Sequence, residues 1–224
     1  MTARVACVIP AYNAALTLAA VVAGLRRSMP NASIIGVDDG STDGTRAVLD
    51  ALCDRAVSFP DNRGKGAALR AGFETALATG SEAVLALDAD GQHDVAYAPL
   101  LVQALDEADI VIGARDRVGA MPVRRRITNA LSGAAARRLG GCHIPDPQSG
   151  FRAIRAVVIG SVSARGDRYE YETDFLLRAA RAGYRIVSVR VPTIYGPPSH
   201  FRDVRDGLRV VATFCRHACG AVPA

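Results

Sequence analysis

Short apolar runs alternate with helix-length stretches along the first half of the chain. The runs Arg4–Pro10, Ser33–Val37, Ala56–Phe59, Ala83–Leu87 and Asp109–Ala114 read as strands. The stretches Ala14–Arg27, Thr45–Cys53, Ala67–Ala78 and Pro99–Glu107 between them read as helices. Short β-α connections of this kind commit a chain to a mostly parallel sheet with helices on both faces. Ligands of such sheets bind outside the carboxyl ends of the strands. Polar clusters fall at those ends. Asp38 and Asp39 follow the second run, Asp88-Ala89-Asp90-Gly91-Gln92-His93 the fourth, and Arg115 the fifth. The topology therefore aims separate polar loops at one crevice.

Asp88 and Asp90 lie one residue apart, so an extended backbone carries both on the same side. Two such carboxylates repel unless a cation sits between them, and oxygen donors suit Mg²⁺ or Mn²⁺. A solvated turn is the plain alternative. Gly64-Lys65-Gly66 opens a helix and has the ingredients of an anion site: flexible backbone, a helix N-terminus and an ammonium. Walker spacing is absent. The alternative is a glycine turn with a solvated lysine, although Lys65 is the chain's only lysine.

The second half carries fewer local signals. Met121-Pro122 opens an Arg-rich helix to about Leu139. The segment from Pro145 to Gly150 is a turn into a short strand. Glu172–Ala182 is an amphipathic helix, Tyr184–Pro192 a strand, and Val204–Arg216 a final helix. Of 224 residues, half are hydrophobic, enough for one domain over 1–219, with 220–224 a frayed tail. No apolar run reaches membrane-spanning length, and Val5–Pro10 is too short for a signal peptide. The expectation is a cytoplasmic protein, with peripheral contact to the inner face of a membrane left open. Five scattered cysteines point to reduced thiols, not a disulfide or zinc framework. The net charge of +5 is almost all arginine, gathered at Arg124-Arg125-Arg126, Arg137-Arg138 and between Arg202 and Arg216. Aromatic residues are few and no nucleic-acid-binding pattern accompanies the arginines, so nucleic acid is not expected. Anionic small ligands or lipid head groups fit the charge.

In order and spacing, VIPAYN, VDDGSTDGT, NRGKGAALRAGF, LDADGQH, IGAR, DPQSGFRAIR and VPTIYG-PPSHF resemble family 2 GT-A glycosyltransferases. The similarity is greatest to the dolichyl-phosphate mannose synthase and polyprenyl-phosphate glycosyltransferase branch, over roughly residues 4–206. It implies an α/β, Rossmann-like GT-A (nucleotide-diphospho-sugar transferase) fold. Residues 1–115 would form the nucleotide-sugar-binding half and 116–219 the acceptor-binding half. It also implies a GDP- or UDP-linked sugar donor, a divalent metal, inversion at the sugar carbon and transfer to a polyprenyl phosphate.

Residue by residue, the resemblance places Pro10 and Tyr12 beside the nucleobase, Tyr12 being otherwise a packed surface aromatic. Ala14 stands where the family commonly has glutamate, so that contact is lost or made elsewhere. Asp38 and Asp39 would accept from base and ribose, since Ser41, Thr42 and Asp43 already supply caps for the following helix. Lys65, Asp88, Ala89 and Asp90 would line the diphosphate, with Asp88, Asp90 and Gln92 as the metal set and His93 in a supporting place. Arg115 and Arg125 would meet the acceptor phosphate by bidentate donation, although which of Arg124, Arg125 and Arg126 faces inwards stays open. Ser149 would add a hydrogen bond, and Asp146 would orient an arginine or act as a base. His200 and Arg202 would sit in a loop closing over the diphosphate.

The two acceptor classes need different chemistry. A phosphate monoester is largely a dianion near neutrality and needs little base catalysis. A sugar hydroxyl needs a carboxylate within reach, for which Asp146, Glu172 and Asp174 are the candidates. Glu172 and Asp174 are otherwise acidic residues favoured at a helix N-terminus. A transferase with a soluble or polysaccharide acceptor is thus the alternative, and a non-catalytic sugar-nucleotide-binding module a further one. A nucleotidyltransferase would carry a glycine-rich loop after the first strand, and a dinucleotide dehydrogenase a GxGxxG there. VIPAYNAA has neither.

Overall fold

The computed structural model describes residues 4–115, 146–192, 194 and 205–218. The strands are β1 (Val5–Ala11), β2 (Ser33–Asp38), β3 (Arg55–Ser58), β4 (Ala83–Ala86), β5 (Ile110–Arg115), β6 (Arg152–Arg155) and β7 (Ile186–Val191). The helices are α1 (Ala15–Ser28), α2 (Thr45–Leu52), α3 (Lys65–Ala78), α4 (Ala98–Gln103), α5 (Ala156–Ser161), α6 (Glu170–Arg181) and α7 (Arg205–Ala218). Single 3₁₀ turns flank α4 at Val95–Tyr97 and Ala104–Asp106.

The strands form one sheet in the order β3-β2-β1-β4-β6-β5-β7. All neighbours run parallel except β6, which is antiparallel to both β4 and β5. This is the mostly parallel α/β sheet expected. The β6 reversal follows from its connection. Residues 146–151 turn the chain back at the carboxyl end of β5, so β6 enters the sheet from the site end. Alternating side chains feed two cores. Cys7, Ile9, Leu85, Leu87 and Val111 pack under α1, α2 and α4 through Leu18, Leu25, Leu49 and Leu101. Ala6, Val8, Ile35, Val84 and Ile112 pack under α3 and α6 through Leu69, Phe73, Phe175 and Leu176. A sheet covered on both faces needs apolar residues at odd and even positions alike, which is why these strands read as unbroken apolar runs.

The structure differs from the sequence reading in several places. Helix α3 begins at Lys65, two residues earlier than expected, because first-turn N–H groups need no intrahelical partner and so tolerate glycine. The Pro99–Glu107 helix is shorter, loosening into 3₁₀ after Gln103. Helix α5 carried no sequence signal, being six residues without a side-chain cap. The Arg-rich helix expected at 122–139, and the tail at 220–224, lie outside the described residues. Among the described residues no helix is long and apolar enough to cross a membrane.

Candidate active site

Proline 10 opens the crevice. Successive residues of β1 address opposite neighbours, and on the β4 side the Val8 carbonyl accepts from Leu87 N–H at 3.2 Å. The next residue on that edge is Pro10, which has no N–H to give. Pairing with β4 ends at Val8–Ala86, while pairing with β2 continues to Ala11–Asp38. The strands part there, and the loops after β1, β2 and β4 surround the gap.

On the β2 side those loops are stitched to each other. Asn13 adopts φ +49, and its Oδ1 accepts Thr42 N–H at 2.9 Å, while Asn13 N–H donates to Ser41 Oγ at 2.9 Å. Asp43 accepts from Thr45 N–H and, across the loop, from Ala15 N–H at 3.2 Å. Of the three polar residues that read as caps, Ser41, Thr42 and Asp43, it is Asp43 that accepts the first N–H of α2, from the position before the N-cap residue Gly44. Asp38 is buried and takes Ser41 N–H at 3.0 Å. Asp39, read as a ribose or base acceptor, takes donors from its own chain. Its carboxylate accepts Asn62 Nδ2 at 3.0 Å, Arg63 N–H at 2.7 Å and Gly64 N–H at 2.9 Å. Burial raises its pKa against these donors. Asp39 therefore fixes the loop that leads to Lys65. Tyr12 is half-buried beside this loop pair.

The Gly64-Lys65-Gly66 segment is not an open anion cradle. Gly64 has φ +105, and a side chain there would strike the Asp167 carbonyl and Arg168. A Cβ at Gly66 would lie 2.5 Å from Tyr171 Cβ. The glycines let α3 start against residues 167–171, and Asp167 O accepts the Ala67 N–H at 3.0 Å. What reaches the site is Lys65. Its Nζ lies 2.7 Å from Asp88 Oδ1 and 2.9 Å from Glu172 Oε2. Burial alone would depress the ammonium's pKa, but these two carboxylates raise it.

Asp88 is the electrostatic hub. Besides Lys65 it faces His93, Nε2 to Oδ2 at 3.5 Å, and the His93 ring stacks on Phe151 at 5.3 Å. Burial would raise the Asp88 pKa, yet Lys65 and His93 hold it well below the usual carboxylate range. Gly150 closes the other side. A Cβ there would stand 2.5 Å from Asp88 Oδ2. Asp90 is in the opposite condition. Burial, then the Asp88 charge, raise its pKa. Its Oδ1 accepts Gln92 N–H at 2.9 Å, and no hydrogen bond reaches its Oδ2 among the described residues. Ala89 between them is buried, and its carbonyl accepts Thr17 Oγ1 at 2.6 Å, pinning the loop to α1. A partly buried carboxylate with an open oxygen and a raised pKa suits a cation. Among the described residues no three His, Cys, Asp or Glu side chains converge as ligands. Any metal here would take Asp90, with Asp88 and Gln92 as neighbouring donors, and fill its other positions from ligand oxygens and water, as Mg²⁺ commonly does.

At the carboxyl end of β5, Arg115 is gripped by Asp146, Nε to Oδ2 at 2.7 Å and Nη2 to Oδ1 at 3.1 Å. Of the two roles left open for Asp146, orientation of an arginine is the one its geometry serves. Ser149 is buried, and its hydroxyl donates to Gly113 O at 2.6 Å, so it braces β5. The other helix acids are engaged too. Glu172 meets Lys65 and, at 3.7 Å, Arg152. Asp174 takes Arg178 Nε at 2.7 Å, His217 Nε2 at 2.8 Å and Arg165 N–H at 2.7 Å. Arg125, with its neighbours Arg124 and Arg126, and His200 and Arg202 lie outside the described residues.

Sequence reasoning assigned no role to Arg152. It is buried and donates to the carbonyls of Ser149 (2.6 Å), Pro147 (2.8 Å) and Glu172 (3.2 Å), binding the 146–151 turn to α6. A charged residue inside the short buried strand RAIR was the available signal.

Known proteins agree with this architecture. A crystal structure of glucosyl-3-phosphoglycerate synthase from Mycobacterium tuberculosis, in complex with Mn²⁺, uridine diphosphate and phosphoglyceric acid, superposes with a TM-score of 0.78 at 25% identity. The match covers 100% of this chain and 80% of that one. The undecaprenyl-phosphate mannosyltransferase of Micrococcus luteus is 32% identical over 205 residues, 84% of this chain and 82% of its own. The polyprenol monophosphomannose synthase of Mycolicibacterium smegmatis is 33% identical over 209 residues, 85% and 77% of the two chains. The sequence profile of glycosyl transferase family 2 matches residues 6–162, and the chain, a glycosyltransferase, belongs to that family.

Proposed function

We propose that the protein is an inverting transferase that moves a sugar from a nucleoside diphosphate donor to a polyprenyl phosphate with the help of a divalent cation. The observation that carries the choice of acceptor is the state of the candidate bases. Asp146 is locked on Arg115, Glu172 on Lys65, and Asp174 on Arg178 and His217. A sugar hydroxyl would need one of them released to take its proton. A phosphate monoester, with a second pKa of about 6, arrives already ionised. The names of the Micrococcus and Mycolicibacterium relatives point to the same acceptor class.

The chain's part is then positioning and charge stabilisation. The loops after β1 and β2, including Pro10, Tyr12 and Asp38, form the wall for the nucleoside. Asp39 acts indirectly, by holding residues 62–64 and hence Lys65 in place. A cation, Mg²⁺ or Mn²⁺, held by Asp90 with Asp88 and Gln92 nearby, would supply neutralisation of charge on the leaving diphosphate. Arg115, oriented by Asp146, presents its guanidinium to the acceptor phosphate, a task in which Arg125 would join. Residues 1–115 would serve the donor and those beyond them the acceptor. The donor base, guanine or uracil, is tested rather than assumed. Incubating GDP-mannose and UDP-glucose, each with detergent-dispersed polyprenyl phosphate and with soluble sugars, should give lipid-linked product only. Robust transfer to a soluble hydroxyl acceptor, with none to the lipid, would overturn the proposal.

A further inference from the structure

The Lys65 ammonium sits where a metal and its ligand would contend for Asp88. It bridges Asp88 and Glu172 at 2.7 and 2.9 Å, with a side chain only 14% exposed. Asp90, two positions along, accepts from Gln92 N–H at one oxygen, and no hydrogen bond reaches the other among the described residues. With the His93 imidazole counted as neutral, the local charges are Lys65 and Arg152 against Asp88, Asp90 and Glu172, one negative charge in excess. A bare dication would tip that sum to a positive value, beside an ammonium already seated on the carboxylate it wants. A nucleoside diphosphate carries several negative charges of its own and reverses the balance. Glu172 completes the arrangement, because Arg152 lies 3.7 Å from its other oxygen and it remains an anchor for the ammonium when Asp88 lets go.

We propose that Lys65 is a resident counter-cation that yields Asp88 only when nucleoside diphosphate and divalent cation arrive together. The donor then binds as its metal complex, and free metal is refused. This rests on the metal-dependent donor reading above and adds an order of binding to it. Reciprocity follows: the diphosphate must tighten the metal by the same factor as the metal tightens the diphosphate.

Two measurements test it. Mn²⁺ binding, read from the free-ion electron paramagnetic resonance signal, is compared in wild type and Lys65→Met, alone and with GDP or UDP. Removing a like charge from beside the cation should tighten Mn²⁺ binding about tenfold or more without nucleotide, and shrink the Mn²⁺–nucleotide coupling by a similar factor. Lys65 is also the chain's only lysine, so ¹⁵N-lysine labelling gives a single side-chain ammonium signal in the wild-type protein. That signal should stay put with Mg²⁺ alone and move with Mg²⁺ plus nucleotide. This second measurement decides the matter if Lys65→Met does not fold. Unchanged or weaker Mn²⁺ binding by a folded Lys65→Met, or an ammonium signal that responds equally to Mg²⁺ alone, overturns the counter-cation role while leaving the donor reading intact. Nucleotide binding with no metal coupling in wild type overturns both.

Discussion

Replacing Gly150 by alanine tests the site through one methyl group. The new Cβ would lie 2.5 Å from Asp88 Oδ2 and 2.8 Å from both Cγ and Oδ1, where ordinary contacts begin at 3.4 Å. The Asp88 carboxylate or the 146–151 turn must therefore shift by about 0.9 Å. If the carboxylate moves alone, the geometry of its 2.7 Å contact with Lys65 and its 3.5 Å approach to His93 is disturbed. If the turn moves, the Arg152 bonds to Ser149 and Pro147 stretch instead. Overpacking of this size costs about 1–3 kcal/mol, and each kcal/mol lowers Tm by roughly 2–4 °C in a chain of this length. Gly160→Ala is the matched control, since nothing lies within 4 Å of its Cβ and the residue is in α5. It should be neutral or stabilising by about 0.5–1 kcal/mol. Urea unfolding and titration with GDP or UDP in the presence of Mn²⁺ measure both effects. Gly150→Ala should lose stability and about tenfold in nucleotide affinity, and Gly160→Ala neither. Equal behaviour of the two variants would refute the claim that Gly150 is the floor of the Asp88 site.

Arg152→Leu strips the donors from three carbonyls in the interior and should cost about 3 kcal/mol or more in urea unfolding; a loss below about 1 kcal/mol would mean the turn is held by other contacts. Asp146→Asn keeps the shape but weakens the grip on Arg115, so KM for polyprenyl phosphate should rise about tenfold while kcat changes less; a collapse of kcat at unchanged KM would instead make Asp146 a base. Stability should also fall with acid at the α6–α7 contact. Burial outweighs the Asp174 carboxylate and lowers the His217 pKa, with Arg181 and Arg178 acting in the same direction. For Asp174, burial would raise the pKa, but Arg165 N–H, His217 and Arg178 hold it below the usual range. A depressed folded pKa stabilises above the unfolded value and is lost as pH falls. The His217 share should therefore fade below about pH 6.5, and the Asp174 share below about pH 4. His217→Gln should flatten the drop in Tm between pH 7 and 5; an unaltered slope would show that the histidine does not titrate against the fold.

The sequence made the architecture readable because each strand buried on two faces must be apolar throughout, and some helix starts carry local polar signals. Asp43 is one of three polar residues before Thr45 that read equally as caps, and it is the one that accepts the Thr45 N–H. The site was readable as a set of loops, since strand ends are local features. Its wiring was not. Nothing near Lys65 in the sequence announces Glu172, and nothing near Asp39 tells that its acceptors will be filled by residues 62–64. Ion pairs between distant segments leave no periodicity behind. The glycines beside Lys65 illustrate the same limit: glycine before a helix reads equally as an anion loop or as close packing, and the neighbours at 167–171 decide for packing. The antiparallel course of β6 was likewise invisible, because apolar alternation carries no direction.

The central claim is that Asp90 anchors the donor diphosphate through a divalent cation. Isothermal titration of wild type and Asp90→Asn with GDP and with UDP, in Mn²⁺ and in EDTA, tests it most directly. Wild type should bind one of the two nucleotides at least about tenfold more tightly with Mn²⁺, and Asp90→Asn should lose that gain while retaining the EDTA affinity. Binding of equal strength in Mn²⁺ and EDTA, unaffected by Asp90→Asn, would contradict it.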